Sequence, residues 1–154
     1  MWAGSLEVLP ILLGVVPFGV IAGIVAVEAG LSTAQAIAAS PVIFAGAAQL
    51  ATMGLLAQDA AAVVIVLTAL VINSRMAMYS AALTPWFKGL GPVRTALGAY
   101  LLTDQAFAVS TVRYEKESWD LSTRFAYYFG AGISLWLVWQ VSTITGVLLG
   151  TEVP

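Results

Sequence analysis

The chain has 154 residues, 60% of them hydrophobic and only 9% charged, with a formal net charge of −2 and a mean hydropathy of +0.95. A soluble domain of this length would carry about a quarter charged residues, so the composition points to a multi-span, all-α membrane protein built as one bundle over residues 1–154. Because Cys and His are both absent, disulfides, thiol chemistry, zinc sites and Ser-His or Cys-His relays are excluded, and no enzyme, metal, cofactor or nucleic-acid partner is expected.

The first apolar segment covers residues 9–27. No basic stretch or small-residue cleavage site precedes it, so it reads as a retained span. Pro17 lacks a backbone donor, and a kink or break at Pro17-Phe18-Gly19 is expected, either lining a site or simply kinking a packing helix. Gly19 and Gly23 are spaced as GxxxG, which lets a second backbone approach closely. After a turn at residues 28–32, Ser32 or Thr33 can cap the next helix. Ser40-Pro41 then interrupts, leaving residues 42–57, which at roughly 24 Å are short for a crossing. Here FAGAAQLATMG sets Gly46 and Gln49 among small residues, with Gln49 either a clamp between helices or a ligand in a re-entrant segment.

Residues 60–86 are long enough to cross a bilayer, yet they carry Asn73, Ser74 and Arg75. Arg75 lies roughly 15 Å from the Pro85-Trp86 boundary, near the midplane. A guanidinium there costs about 3 kcal/mol or more unless it is paired, wetted or snorkelled. Asn73 and Arg75 therefore line a polar site, or Arg75 is a structural staple. They fall on nearly opposite helix faces, so either protein packs on both sides or the backbone unwinds near Asn73-Ser74.

Trp86 to Arg94 reads as an interfacial loop with aromatic and basic anchors. Residues 95–111 are again short and contain Thr103-Asp104-Gln105, and Asp104 is the natural counter-charge to Arg75. A charged loop runs from Arg113 through Asp120 to Arg124. The last span, residues 125–150, carries a stripe of Gly132, Trp136, Gln140 and Thr143, with Gln140 the site candidate and Trp139 off the stripe.

Placing Lys88, Arg94, Arg113, Lys116 and Arg124 in the cytoplasm gives a consistent map. The chain then makes two units of one span plus one re-entrant segment, the two units in opposite orientations, the pattern of inverted-repeat transporters with a midplane site. The competing map has five complete crossings and puts Arg113, Lys116 and Arg124 outside.

Five blocks carry a resemblance: LPILLGVVPFGVIAG, SPVIFAGAAQLATMGLL, LVINSRMAMYSAAL, AYLLTDQAFAVS and YYFGAGISLWLVWQVSTITGVLLG. In order and spacing they resemble the AzlC (azaleucine-resistance) family of branched-chain amino-acid exporters. The resemblance implies a multi-pass permease of the bacterial inner membrane that expels valine, leucine and isoleucine together with a small AzlD-type membrane subunit. The family's polar signatures map onto Gln49, Asn73-Ser74-Arg75, Thr103-Asp104 and Trp139-Gln140. Family members often carry an acidic residue where Gln105 stands, so a proton-relay role rests on Asp104 alone. They also usually continue beyond the position of Pro154, which implies a core domain without its C-terminal segments. The remaining readings are a passive channel and an assembly module in which Arg75 and Asp104 only lock subunits together.

Overall fold

The computed structural model describes Met1–Glu152, and residues 153 and 154 of the expected 1–154 domain lie outside the described residues. Three apolar runs form helices long enough to cross a bilayer: α1 (Trp2–Glu28), α4 (Ala62–Leu83, extended by a 3-10 turn at Thr84–Phe87) and α7 (Leu121–Glu152). Between them lie two pairs of short helices, α2 (Thr33–Ile43) with α3 (Gly46–Leu56), and α5 (Pro92–Tyr100) with α6 (Asp104–Lys116). The described residues contain helices and turns and no strand. The order of one long helix and one broken pair thus occurs twice before α7 closes the chain.

Local chemistry explains where three of the helices start. Ser32 caps α2 as expected, in a capping box in which its hydroxyl accepts from the Gln35 amide and the Gln35 side chain accepts from the Ser32 amide. Thr103 caps α6 by accepting from the Ala106 amide at 3.2 Å. Asp120 accepts from the Thr123 amide at the start of α7. Hydrogen bonds from the Thr123 hydroxyl and backbone hold this exposed carboxyl below the usual carboxylate range.

The helix breaks differ from expectation in three places. The first long helix is not broken at Pro17-Phe18-Gly19, because α1 runs through all three. Pro17 is exposed, and the missing donor costs only the hydrogen bond to one carbonyl a turn earlier. The second break is not at Pro41, which sits inside α2. The chain leaves the helix at Phe44, whose φ of +23° is unusual for an aromatic residue, and α3 restarts at Gly46. Nor does α4 unwind at Asn73-Ser74: it is continuous, and the Ser74 hydroxyl donates back to the Val71 carbonyl. The loop expected from Arg113 to Arg124 also shrinks to residues 117–120, since α6 extends to Lys116 and α7 starts at Leu121.

The chain divides into two compact units, each holding one broken pair. The first comprises Met1–Leu13 and Arg75–Leu137, and so contains α5 and α6. The second comprises Gly14–Ser74 and the chain from Val138 onward, and so contains α2 and α3. Both α1 and α4 give their second half to the unit holding the pair that follows them, and their first half to the other unit. This shared rule is a repeat in structure that the residues themselves do not display.

In the first unit α5 and α6 enter and return at the same end. Arg124 lies over the Trp86 ring at 5.1 Å and Arg94 over the Phe125 ring at 5.9 Å. Phe87 packs edge-on against Tyr114, Phe125 and Tyr128, and the Tyr114 hydroxyl donates to the Arg124 carbonyl at 2.7 Å. The turn before α5 and the turn after α6 therefore meet, and a five-crossing map, which would send them to opposite ends, is ruled out for this segment. Arg113 joins Glu7 at this end in an ion pair of 2.8 Å. In the second unit α2 and α3 likewise return, since Ala36 near the start of α2 and Met53 near the end of α3 share one buried cluster with Ala26 and Val147.

Close backbone approach holds the second unit. The Gly19-Gly23 pair faces Ser142, Thr143 and Gly146 of α7, and Gly146 in turn faces the Val20 backbone. This is the contact that the GxxxG spacing anticipates. α4, by contrast, buries little: Val63, Val66, Leu67, Leu70 and Val71 are all more than half exposed, an apolar surface suited to lipid.

Candidate functional site

In the first unit the central ion pair is formed. Arg75 Nη1 lies 2.8 Å from Asp104 Oδ2, with each side chain about one third exposed, at 36%. Asp104 is the first residue of α6, directly after its Thr103 cap. At 1.5 Å per residue, the nine residues of α5 place the break at residues 101–103 roughly 13 Å in from the basic end, near the middle of a hydrocarbon core. One turn further along both helices, Tyr79 stacks on Phe107 with ring centroids 4.4 Å apart and planes 18° from parallel. Two successive contacts thus fasten the second half of α4 to α6.

The pair is only partly satisfied. Asp104 Oδ1 and Arg75 Nε are both buried without a hydrogen-bond partner among the described residues. The guanidinium therefore meets a carboxylate at mid-depth instead of reaching for the headgroup layer, while each group keeps one further hydrogen-bonding position unused.

On α4, Ile65, Thr68, Ile72, Met76 and Tyr79 are half-buried and Leu83 is buried, which defines one packing face. At 100° per residue, Asn73 sits about 100° to one side of the centre of that face and Arg75 about 60° to the other. Both are half-buried, so an unbroken helix accommodates them at the two edges of a single face. Asn73 belongs to the second unit, and its Oδ1 is buried and unpartnered.

The second unit carries its own polar interior. Gln49 has no exposed surface, and neither its Nε2 nor its Oε1 has a partner. Gly46, one turn earlier on α3, lies against Phe18 and Trp139, while Met53, one turn later, packs with Val147. Gln49 is therefore level with residues 140–143 of α7. In that stretch Gln140 Nε2 and Thr143 Oγ1 are also buried and unpartnered, as is Ser40 Oγ on α2. Each unpaired buried polar group costs about 1–3 kcal/mol, so such a set is retained against folding stability.

Gly19 proves to be a packing residue against α7, and Gly46 lies beside an aromatic pair, Phe18 and Trp139, whose centroids are 5.6 Å apart. Trp139 corrects the narrow stripe read on α7. It is 6% exposed, and its Nε1 is buried without a partner. Trp136, placed on the stripe, is only half-buried and donates to the Tyr100 hydroxyl at 2.8 Å. Helical spacing alone missed Trp139 because α7 buries a wide face that includes Tyr127, Ala131 and Leu135 in the same row. Among the described residues no group of three or more acidic side chains is placed to hold a metal ion.

A family model described as AzlC protein matches residues 10–153. Inner membrane protein YgaZ of Escherichia coli is 28% identical over 149 residues, covering 96% of this chain and 60% of the relative. An uncharacterized membrane protein of Archaeoglobus fulgidus is 30% identical over 142 residues, covering 92% and 59%, and one of Helicobacter pylori is 28% identical with coverage of 92% and 60%. The chain thus spans about three fifths of the length of the curated relatives it matches. No solved structure matches it.

Proposed function

The chain belongs to the AzlC family of membrane proteins, and on that premise we propose that it is the core of a secondary transporter that exports branched-chain amino acids. The setting proposed is the bacterial inner membrane, with valine, leucine and isoleucine as substrates and a small AzlD-type membrane subunit as partner. The observation that carries this reading is the Arg75–Asp104 pair at the start of a re-entrant helix, each member with one buried position unpartnered.

A free amino acid presents a carboxylate and an ammonium, which are the charges this pair presents in reverse. Binding exchanges one ion pair for two: the substrate carboxylate takes Arg75, and the ammonium takes Asp104. Neither protein charge is left alone at mid-depth, where an isolated guanidinium costs about 3 kcal/mol or more. Protonation of Asp104 breaks the internal pair without substrate and frees Arg75 for a carboxylate, which couples occupancy to a proton gradient. Within the second unit Gln49 and Gln140 offer hydrogen bonds of their own, and Ala, Val, Leu and Phe side chains accept the branched hydrocarbon. One methylene is worth only about 1–3 kcal/mol of discrimination, so selectivity among valine, leucine and isoleucine is loose.

The assembly-module reading is weaker, because the two charges close on each other within one chain and leave neither to lock onto a subunit. The test is efflux of valine from cells fed a valine dipeptide, comparing Arg75→Gln and Asp104→Asn with the parent at equal membrane abundance. Each variant loses at least about tenfold in rate if a charge-pair interaction of about 1.4 kcal/mol or more is removed from the transport step. Unchanged efflux in both overturns the assignment.

A further inference from the structure

Away from the ion pair, the first unit contains a second feature that transport does not use. A cleft of roughly 170 Å³ opens between the end of α4, the turn that follows it, α5 and α7. Lys88 and Arg94 line it, and no acidic residue does. Neither cation takes part in any of the ion pairs formed among the described residues. Arg94 is held at the wall by the face of Phe125, 5.9 Å from its guanidinium carbon. Of the other polar groups on the lining, the Thr84 and Thr95 hydroxyls donate to the Ser80 and Gly91 carbonyls, and the Tyr128 hydroxyl donates to the Gly98 carbonyl.

Apart from Ser80, the rest of the lining is apolar, with Leu83, Phe87, Leu90, Leu102 and Phe125. These residues are ordered in depth. Arg94 is at the first turn of α5, beside the aromatic and basic end of the unit, and Leu102 is at the break, eight residues or roughly 12 Å further in. The cleft thus runs from two unpaired cations at a membrane boundary down an apolar wall toward mid-depth.

We propose that this cleft binds one anionic phospholipid, with its phosphate on Lys88 and Arg94 and an acyl chain lying along α5. Charge complementarity selects the headgroup, and the graded lining selects a molecule that is anionic at one end and hydrocarbon for the rest of its length. A zwitterionic lipid brings its own cation to Lys88 and Arg94 and is disfavoured. A soluble anion gains nothing from the apolar wall. Because α5 leads directly into the break that positions Asp104, a bound lipid also steadies the re-entrant pair. The site rests on the membrane reading of the chain but not on its substrate.

Native mass spectrometry of the protein released from nanodiscs of phosphatidylglycerol or phosphatidylcholine reads out retained lipid. Phosphatidylglycerol is retained in preference, and the Lys88→Gln/Arg94→Gln double variant binds it roughly thirtyfold more weakly, the sum of two surface-basic contributions. Lys116→Gln, which leaves the lining untouched, retains it like the parent. A Cβ on Gly98 meets Phe125 and Tyr128 at 3.6 and 3.7 Å, ordinary contact distances, so Gly98→Leu fills the apolar part and displaces the lipid with both cations present. Equal retention of the two lipids by the parent overturns the proposal. So does undiminished phosphatidylglycerol in both the double variant and Gly98→Leu, or displacement of the lipid by millimolar inorganic phosphate.

Discussion

Gln49 is the residue whose sequence context said most and whose structure says more. Its place among small residues made it a clamp or a ligand, and a clamp would have its amide paired. With no exposed surface and both amide atoms unpartnered, it clamps nothing among the described residues. Substituting Leu removes a desolvation cost of about 1–3 kcal/mol while keeping similar volume. Gln49→Leu is therefore expected to raise the thermal unfolding temperature and lower valine efflux together. Reduced stability with normal efflux contradicts a binding role. Asp104 was legible for a simpler reason, since few carboxylates lie at membrane depth and Arg75 needs one. Trp139 was less legible, because a wheel drawn through Gly132 and Gln140 assumes one narrow stripe, whereas α7 buries side chains over a wide arc.

At the scale of elements, proline proved a poor guide to where helices stop. Pro17 and Pro41 both lie inside helices, since a missing donor costs one hydrogen bond and a packed helix tolerates that loss. The restart points were better marked, by Thr103-Asp104 as a cap followed by an acid in the first turn, and by Ser32 with Gln35. Glycine was informative where it repeats at four-residue spacing. A Cβ on Gly23 would collide with the Thr143 and Val147 backbone, while one on Gly14 meets nothing within 4 Å. Gly23→Ala should destabilise the protein by about 1–3 kcal/mol through overpacking. Gly14→Ala should be neutral or stabilising by up to about 1 kcal/mol through helix propensity. Chemical unfolding of the two variants in parallel checks the contrast, and equal effects would contradict the packing assigned to α1 and α7.

For the molecule as a whole, segment length and the placement of Lys and Arg carried the reading, because they report how far a chain travels and at which boundary it stops. They anticipated three spans and two re-entrant pairs. The internal repeat is invisible in residue identity, since a bundle in lipid constrains size and polarity and leaves most apolar choices open; it emerges only from which helix halves pack with which broken pair. Natural absence of Cys makes the topology directly measurable. Cysteines introduced at Lys88 and at Trp119 should react with an impermeant thiol reagent from one side of the membrane, and cysteines at Glu28 and Asp59 from the other. Labelling of 88 and 119 from opposite sides would contradict the re-entrant course of α5 and α6. The proposed transport depends on the half-buried Arg75–Asp104 pair, and its most direct test is the pH-gradient dependence of valine flux in inverted membrane vesicles. The account predicts that an imposed proton gradient accelerates flux in the parent and has no effect in Asp104→Asn of equal abundance; equal acceleration in both would contradict it.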